Sequence, residues 1–278
     1  MSLTTPIFEL EKVTYSYGDS VVALAEVDVV IRPGERVAIL GANGSGKSTL
    51  LKILDGLYFP TAGRVKAFGQ PLSEELFQDE EYASTFRRRV GLVFQDPDVQ
   101  LFLPTVWEEV TFAPLQLGLP QDEVVERAEW ALDFLGIGKL RERSPHRLSE
   151  GEKKKVALAS VLSLQPDVWL MDEPTASLDP RSQSHLIDFI IELGEQGKTI
   201  VTTTHDLTIV SDIADRAYVF CEHHRILGQG PPTEILADQD LLLECNLIHV
   251  HRHVHCHAHG ELKHRHAHPP GERHEHAV

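Results

Sequence analysis

The chain is poor in sulfur and in positive charge. Of its 278 residues only three are cysteine and two are methionine. Cys221, Cys245 and Cys256 are odd in number and have no paired spacing. This excludes a disulfide framework and suits a reduced, cytosolic setting. Lys and Arg total 26 against 42 Asp and Glu, a formal net charge of −16. A general nucleic-acid binder carries a basic field, so no nucleic-acid partner is expected. Also missing is any apolar run of the ~20 residues that a membrane helix needs. The best candidate, residues 21–31, is interrupted by Glu26 and Asp28. Residues 1–6 lack a basic segment and an apolar segment, so no signal peptide is read. A role at a membrane therefore requires a partner that holds the chain there.

The hydrophobic content, 42%, is enough for one large domain or a domain with a small subdomain. Short apolar runs end in glycine or polar turns, and helical periodicity follows them. Residues 37–40 read as a strand ending at Gly41, and residues 48–57 as the next helix. Residues 90–94, 168–171 and 199–203 are further buried-strand candidates. This alternation predicts a parallel α/β sheet. Residues 124–135 are helical by periodicity, with Pro104, Pro114 and Pro120 punctuating the approach. A mainly helical subdomain is expected at about residues 96–163, inserted into the sheet domain. A compositional break follows near residue 246: eleven of the sixteen histidines fall in residues 249–276. Residues 1–246 read as one globular unit, and residues 247–278 as a disordered histidine-rich tail.

Gly41-Ala42-Asn43-Gly44-Ser45-Gly46-Lys47-Ser48, with Thr49 next, matches G-x-x-x-x-G-K-[ST] in full. It follows a strand candidate and opens a helix candidate, the context that gives the motif its meaning. Glycines let backbone approach a phosphate without a Cβ clash. Successive N–H groups and the helix N-terminus then face the anion. Lys47 adds a point charge at the β/γ-phosphates, and the Ser48 hydroxyl can ligate Mg²⁺. Downstream, the apolar run 168–171 ends in Asp172 and Glu173. Side chains alternate along a strand, so the two acids point differently. Asp172 is assigned to magnesium and Glu173 to general base for the attacking water.

With these motifs the sequence resembles the ABC ATPases. Leu148-Ser149-Glu150-Gly151-Glu152 stands where that family has its LSGGQ signature. Gln95 resembles the Q-loop glutamine, Ala176-Ser177-Leu178-Asp179 the D-loop, and His205 the switch histidine. Tyr17 matches the aromatic that stacks on adenine. Read singly, Tyr17 is equally a strand aromatic, His205 a structural histidine, Gln95 a loop polar group and Ser149 an N-cap with Glu152 completing a capping box. Their joint order over residues 8–236 carries the resemblance. It implies a P-loop NTPase with a RecA-like sheet core, and ATP and Mg²⁺ as cofactors. It also implies that Ser48, Gln95 and Asp172 hold the magnesium. Lys47, Gln95, Glu173 and His205 would serve catalysis, while Ser149 and Gly151 would cover the ATP of a second ATPase subunit, identical or not. Glu150 and Glu152 depart from the signature. Two carboxylates near a γ-phosphate are unfavourable unless they point outward or pair with Lys153, Lys154 or Lys155.

The stretch Phe94-Gln95-Asp96-Pro97-Asp98-Val99-Gln100-Leu101-Phe102 resembles the ATPase subunits of energy-coupling factor transporters, importers of vitamins and of nickel or cobalt. Integral membrane components are then partners, at the cytoplasmic face of the cell membrane. Leu101, Phe102 and Trp107 are either contacts to them or core of the helical subdomain. In the tail, His249, His251, His253, His255, His257 and His259 recur every second residue, and Cys256 adds a soft ligand. His264, His266, His268, His274 and His276 extend the set. Imidazole suits Ni²⁺, Co²⁺, Zn²⁺ and Cu²⁺. The expectation is the ATPase of a nickel or cobalt importer. The alternatives are a zinc or vitamin importer, or a non-transport ABC ATPase.

Overall fold

The computed structural model describes residues 5–18, 21–176 and 178–249, with the backbone alone of 255–259 and 262–266. Its strands are β1 (Phe8–Tyr17), β2 (Val21–Ile31), β3 (Arg36–Leu40), β4 (Ala62–Ala67), β5 (Gln70–Pro71), β6 (Val90–Val93), β7 (Val168–Asp172), β8 (Thr199–Thr204), β9 (Arg216–Phe220) and β10 (Ile226–Gly230). The helices are α1 (Lys47–Leu54), α2 (Glu74–Phe77), α3 (Glu80–Arg89), α4 (Pro97–Gln100), α5 (Val106–Gln116), α6 (Gln121–Phe134), α7 (Glu150–Leu162), α8 (Pro180–Glu195), α9 (Val210–Ile213), α10 (Pro232–Ala237) and α11 (Gln239–Glu244).

Alternation along the strands decides the layering. Val37, Ile39, Leu170 and Val201 enter one buried cluster with α1 and the N-terminal strands. Ala38, Leu40, Trp169, Met171 and Ile200 enter another, with α7 and α8. Both faces of the sheet are covered, which is why these strands read as unbroken apolar runs. The sheet order is β10-β9-β3-β8-β7-β6. All its pairings are parallel except that of β10 with β9. A second, antiparallel sheet, β2-β1-β4-β5, was not foreseen from the sequence. The apolar run at residues 21–31 is its strand β2. Val27, Val29 and Ile31 are buried while Glu26 and Asp28 are exposed, the half-buried pattern of an antiparallel strand. Among the described residues no helix is long and apolar enough to cross a membrane. Cys221 and Cys245 are buried, and burial pushes the Cys245 thiol up to about 11.

Between β6 and β7 the chain is helical. Val110 of α5, Ala128 and Leu132 of α6, and Val156 of α7 share one buried cluster. Pro114 does not punctuate the approach, as the sequence had suggested; it lies inside α5 and is buried. Proline has no N–H, so the carbonyl four residues back loses its helical donor. The buried Ser163 hydroxyl, just past the end of α7, donates to that Val110 carbonyl at 2.7 Å. A serine from one helix thus repairs the break that proline makes in another.

In the histidine-rich segment, β11 (His255–His259) pairs antiparallel with β12 (Leu262–His266). The register sets His255 opposite His266, His257 opposite His264 and Cys256 opposite Arg265.

Replacing Ser163 by alanine is expected to leave the Val110 carbonyl buried without a donor. The loss should be about 1–3 kcal/mol, read as a lowered denaturant midpoint at constant slope.

Candidate active site

Parallel strands put their carboxyl ends on one edge, where open α/β sheets bind ligands. Beyond β3 lies the glycine-rich loop, beyond β6 Gln95, at the end of β7 Asp172 and Glu173, and beyond β8 His205. Gly46 N-caps α1 with φ 113° and offers no side chain, so the first N–H groups of the helix are uncapped. A Cβ at Gly46 would stand 2.3 Å from the Ala23 carbonyl oxygen. Only glycine fits, because both the backbone conformation and the close approach of β2 demand it. Ser45 Oγ is buried and has no hydrogen-bond partner among the described residues. Lys47 Nζ donates to the Gly41 and Ala42 carbonyls at 2.8 and 3.2 Å. A buried ammonium curled over a loop of uncapped amides is the arrangement that receives a polyphosphate.

The acids meet this loop. Ser48 Oγ donates to Asp172 Oδ1 at 3.0 Å. Lys47 Nζ lies 3.3 Å from Glu173 Oε1, and both side chains are almost fully buried. Glu173 Oε2 is 2.9 Å from His205 Nδ1. Glu173 itself has φ 42°, an uncommon conformation for a non-glycine residue. Its amide is held there by Thr203, whose Oγ1 accepts from Glu173 N at 2.9 Å and donates to Asp172 Oδ1 at 2.6 Å. One buried hydroxyl therefore sets both acids, a role that the β-branched run of β8 did not reveal in the sequence.

Tyr17 reaches the site from the second sheet. Its hydroxyl is 3.0 Å from Thr49 Oγ1, and its ring meets Tyr15 and Tyr58 edge-on. The ring is partly exposed, which leaves a face for a planar ligand. Tyr17, Asn43, Gly44, Lys47, Ser48, Gln95 and Glu173 line one concavity of about 500 Å³. His224 lines it too, with Nδ1 3.2 Å from the Ser45 carbonyl oxygen, and no sequence motif pointed to it.

Ser149 and Gly151 are not part of that concavity. They line a separate one of about 560 Å³ with Lys139, Lys155 and Asp179. Ser149 caps α7 in a reciprocal capping box with Glu152. The neighbouring lysines do not all serve these acids: Lys153 Nζ binds Asp98 at 2.6 and 2.9 Å. Lys154 is buried and donates to the Phe94 and Gln95 carbonyls at 3.0 and 2.8 Å. Burial lowers its ammonium to about 8. Gln100 adds a third tie, accepting from Phe94 N and donating to the Ala157 carbonyl and Ser160 Oγ. Lys154 was expected as a partner for the signature acids, and it binds backbone carbonyls instead; the two acceptors to which Gln100 donates lie about sixty positions away. Of the three apolar candidates nearby, Leu101 is buried and Trp107 packs against the core beneath Arg141. Phe102 alone is well exposed, edge-on to Phe112.

The tail is described only in part. His249 is exposed. Ser177 of the D-loop, His251, His253, His268, His274 and His276 lie outside the described residues, as do the side chains of His255, Cys256, His257, His259, His264 and His266.

A glycine-rich loop at a strand–helix junction, facing paired acids at the carboxyl edge of a parallel sheet, defines a P-loop nucleotide hydrolase. The ABC transporter family model matches residues 24–176. The nickel import ATP-binding protein NikO of Rhodobacter capsulatus is 50% identical over 247 residues, 88% of this chain and 96% of that protein. The energy-coupling factor transporter ATP-binding protein EcfA of Methanocaldococcus jannaschii is 40% identical, across 87% of this chain and 85% of its own. Among solved structures, cbiO1 from Clostridium perfringens, part of the ABC transporter complex cbiONQ, superposes with a TM-score of 0.73. It is 38% identical over 87% of this chain and 95% of that one. An ATP-binding cassette solved as a dimer with ADP and Pi also gives 0.73, at 29% identity over 81% and 98%. The chain belongs to the ABC transporter ATP-binding family and is an ATP hydrolase of that type.

Thr203→Val keeps the β-branched shape of the strand but removes the hydroxyl between the acids. ATP turnover is expected to fall about tenfold or more, with a smaller change in KM, because Glu173 N keeps only the Thr203 carbonyl at 3.2 Å and Asp172 loses the donated bond, while the glycine-rich loop is untouched. Steady-state kinetics with Mg²⁺ would check this, and an unchanged kcat would remove Thr203 from the site.

Proposed function

We infer that this protein is the ATP-driven motor of a nickel or cobalt importer, working as one half of a dimer against membrane components at the cytoplasmic face of the cell membrane. The observation that carries the hydrolytic part is the contact chain from Lys47 through Glu173 to His205, beside the Ser48–Asp172 pair. Similarity to NikO over nearly the whole of both chains supports the nickel or cobalt branch, and so does the run of tail histidines.

The amides of residues 41–49 and Lys47 bind the phosphates, and Tyr17 stacks on the base. On nucleotide binding Lys47 exchanges the Gly41 and Ala42 carbonyls and Glu173 for phosphate oxygens. Glu173 is then free to accept a proton from water, with His205 holding its carboxylate in place. Ser48, Asp172 and Gln95 offer the oxygen donors that suit Mg²⁺, and the first two already meet. That ion, when bound, neutralises phosphate charge. Ser149 and Gly151 line a surface apart from this site, so they serve the nucleotide of a partner protomer. The helical unit at about residues 96–163 carries Phe102 and Phe112 as the apolar contact to the membrane component, and passes on the motion of the dimer. The tail, residues 247–278, is a metal buffer or donor attached to the motor of residues 1–246.

Lys47→Ala is expected to abolish hydrolysis and weaken nucleotide binding strongly. Glu173→Gln is expected to keep binding, stall turnover and accumulate a nucleotide-bound dimer on size exclusion. Wild-type ATPase activity in the first variant, or a monomer under saturating ATP in the second, removes this reading.

Deleting residues 247–278 should spare ATPase activity and remove most binding of Ni²⁺, Co²⁺ and Zn²⁺ in equilibrium dialysis. Binding by the full chain should weaken as pH falls through ~6.5, because protonated imidazole does not ligate. Equal uptake by both proteins would favour a vitamin importer instead.

A further inference from the structure

The signature serine is already engaged. Ser149 Oγ donates to Glu152 Oε2 at 2.9 Å, and Ser149 N donates to the same oxygen at 2.9 Å. Glu152 N donates back to Ser149 Oγ at 3.4 Å. A serine hydroxyl has one hydrogen and two lone pairs, while an ionised carboxylate only accepts. The hydroxyl's one hydrogen is therefore committed to Glu152, and what Ser149 offers outward is lone-pair density, the wrong polarity for a phosphate oxygen. The donors of Ser149, with Arg143 and Lys155 nearby, hold the Glu152 carboxyl below the usual carboxylate range. It is ionised at neutral pH. Lys153 and Lys154 do not neutralise it, since Lys153 binds Asp98 and Lys154 binds the Phe94 and Gln95 carbonyls.

We propose that Glu152 is a positioning residue that restrains ATP-driven dimer closure by holding the Ser149 hydrogen that the partner's terminal phosphate must receive. Closure then requires that hydrogen to change acceptor, with the displaced carboxylate left beside a second anion. Glutamine at the same position keeps the acceptor and removes the charge. Its carbonyl oxygen can take the same two bonds from Ser149 that one Glu152 oxygen now takes, but the bond to the hydroxyl is then neutral and weaker, and no second anion stands beside the phosphate when the hydrogen changes acceptor. Glutamine also completes a capping box, so the start of α7 is preserved.

The inference rests on the dimer reading above, and the experiment separates the two. In the full chain carrying Glu173→Gln, dimerisation is followed by light scattering against ATP concentration with Mg²⁺. Adding Glu152→Gln is expected to lower the ATP midpoint about tenfold, the scale of exchanging one charged hydrogen bond. The unfolding temperature of the nucleotide-free protein should stay the same. Glu152→Ala should lower the midpoint as well, although it loses the cap and unfolds at lower temperature; this parts the charge effect from the structural one. Ser149→Ala combined with Glu152→Gln should erase the gain. An unchanged midpoint in Glu152→Gln, or a gain that survives Ser149→Ala, overturns the proposal. Failure of the Glu173→Gln parent to dimerise at any ATP concentration takes down the dimer reading and this inference with it.

Discussion

Five strands that run the same way bring their carboxyl ends to a single edge, and every polar contact of the site depends on that alignment. β3 sits between β8 and β9, and β7 between β8 and β6. Residues more than a hundred positions apart then meet within hydrogen-bond distance, as Ser48 and Asp172 do. The alignment is held by apolar burial on both faces of the sheet, the dominant favourable term in folding. The polar edge is less comfortable. Glu173 sits in an uncommon backbone conformation, and Lys47 has only two carbonyls and one carboxylate for its charge. Such local cost is tolerated where a rigid surround over-determines it, and it clusters at functional sites.

Three contacts of different chemistry tie α7 to the segment that leaves β6. A surface ion pair, Lys153–Asp98, contributes little by itself. The buried Lys154 ammonium on two carbonyls and the Gln100 amide bridging to α7 are more consequential, because breaking either strands a buried polar group. All three join α7 to residues 94–100, so the helix that begins after Ser149 is tied directly to the segment that carries Gln95.

Much of this was legible in the sequence, and the reason is locality. The glycine-rich loop, the strand-ending acids and the capping box are each set by residues next to one another, so spacing and residue type suffice. Apolar and β-branched runs announced β3, β6, β7 and β8, four of the six strands of the central sheet, because burial on both faces leaves little room for charge. The antiparallel sheet was harder, since β1 and β2 carry register irregularities that break strict alternation. Pro114 was misread as punctuation because its rescue comes from Ser163, about fifty positions away and on another helix.

The sequence alone determined the family, the strand–loop–helix unit that presents Lys47 and Ser48, and the order of the motifs. Only the tertiary structure decided which side chains share a site. Thr203 is one of six residues in an undistinguished strand until the fold sets it between two acids. His224 sits in a turn until the loop folds against Ser45. Leu101, Phe102 and Trp107 are chemically alike on paper, and packing buries the first, half-covers the third and leaves Phe102 to solvent. Hydrophobicity and propensity act through near neighbours, whereas hydrogen-bond partners and exposure depend on which distant segments the sheet register brings together.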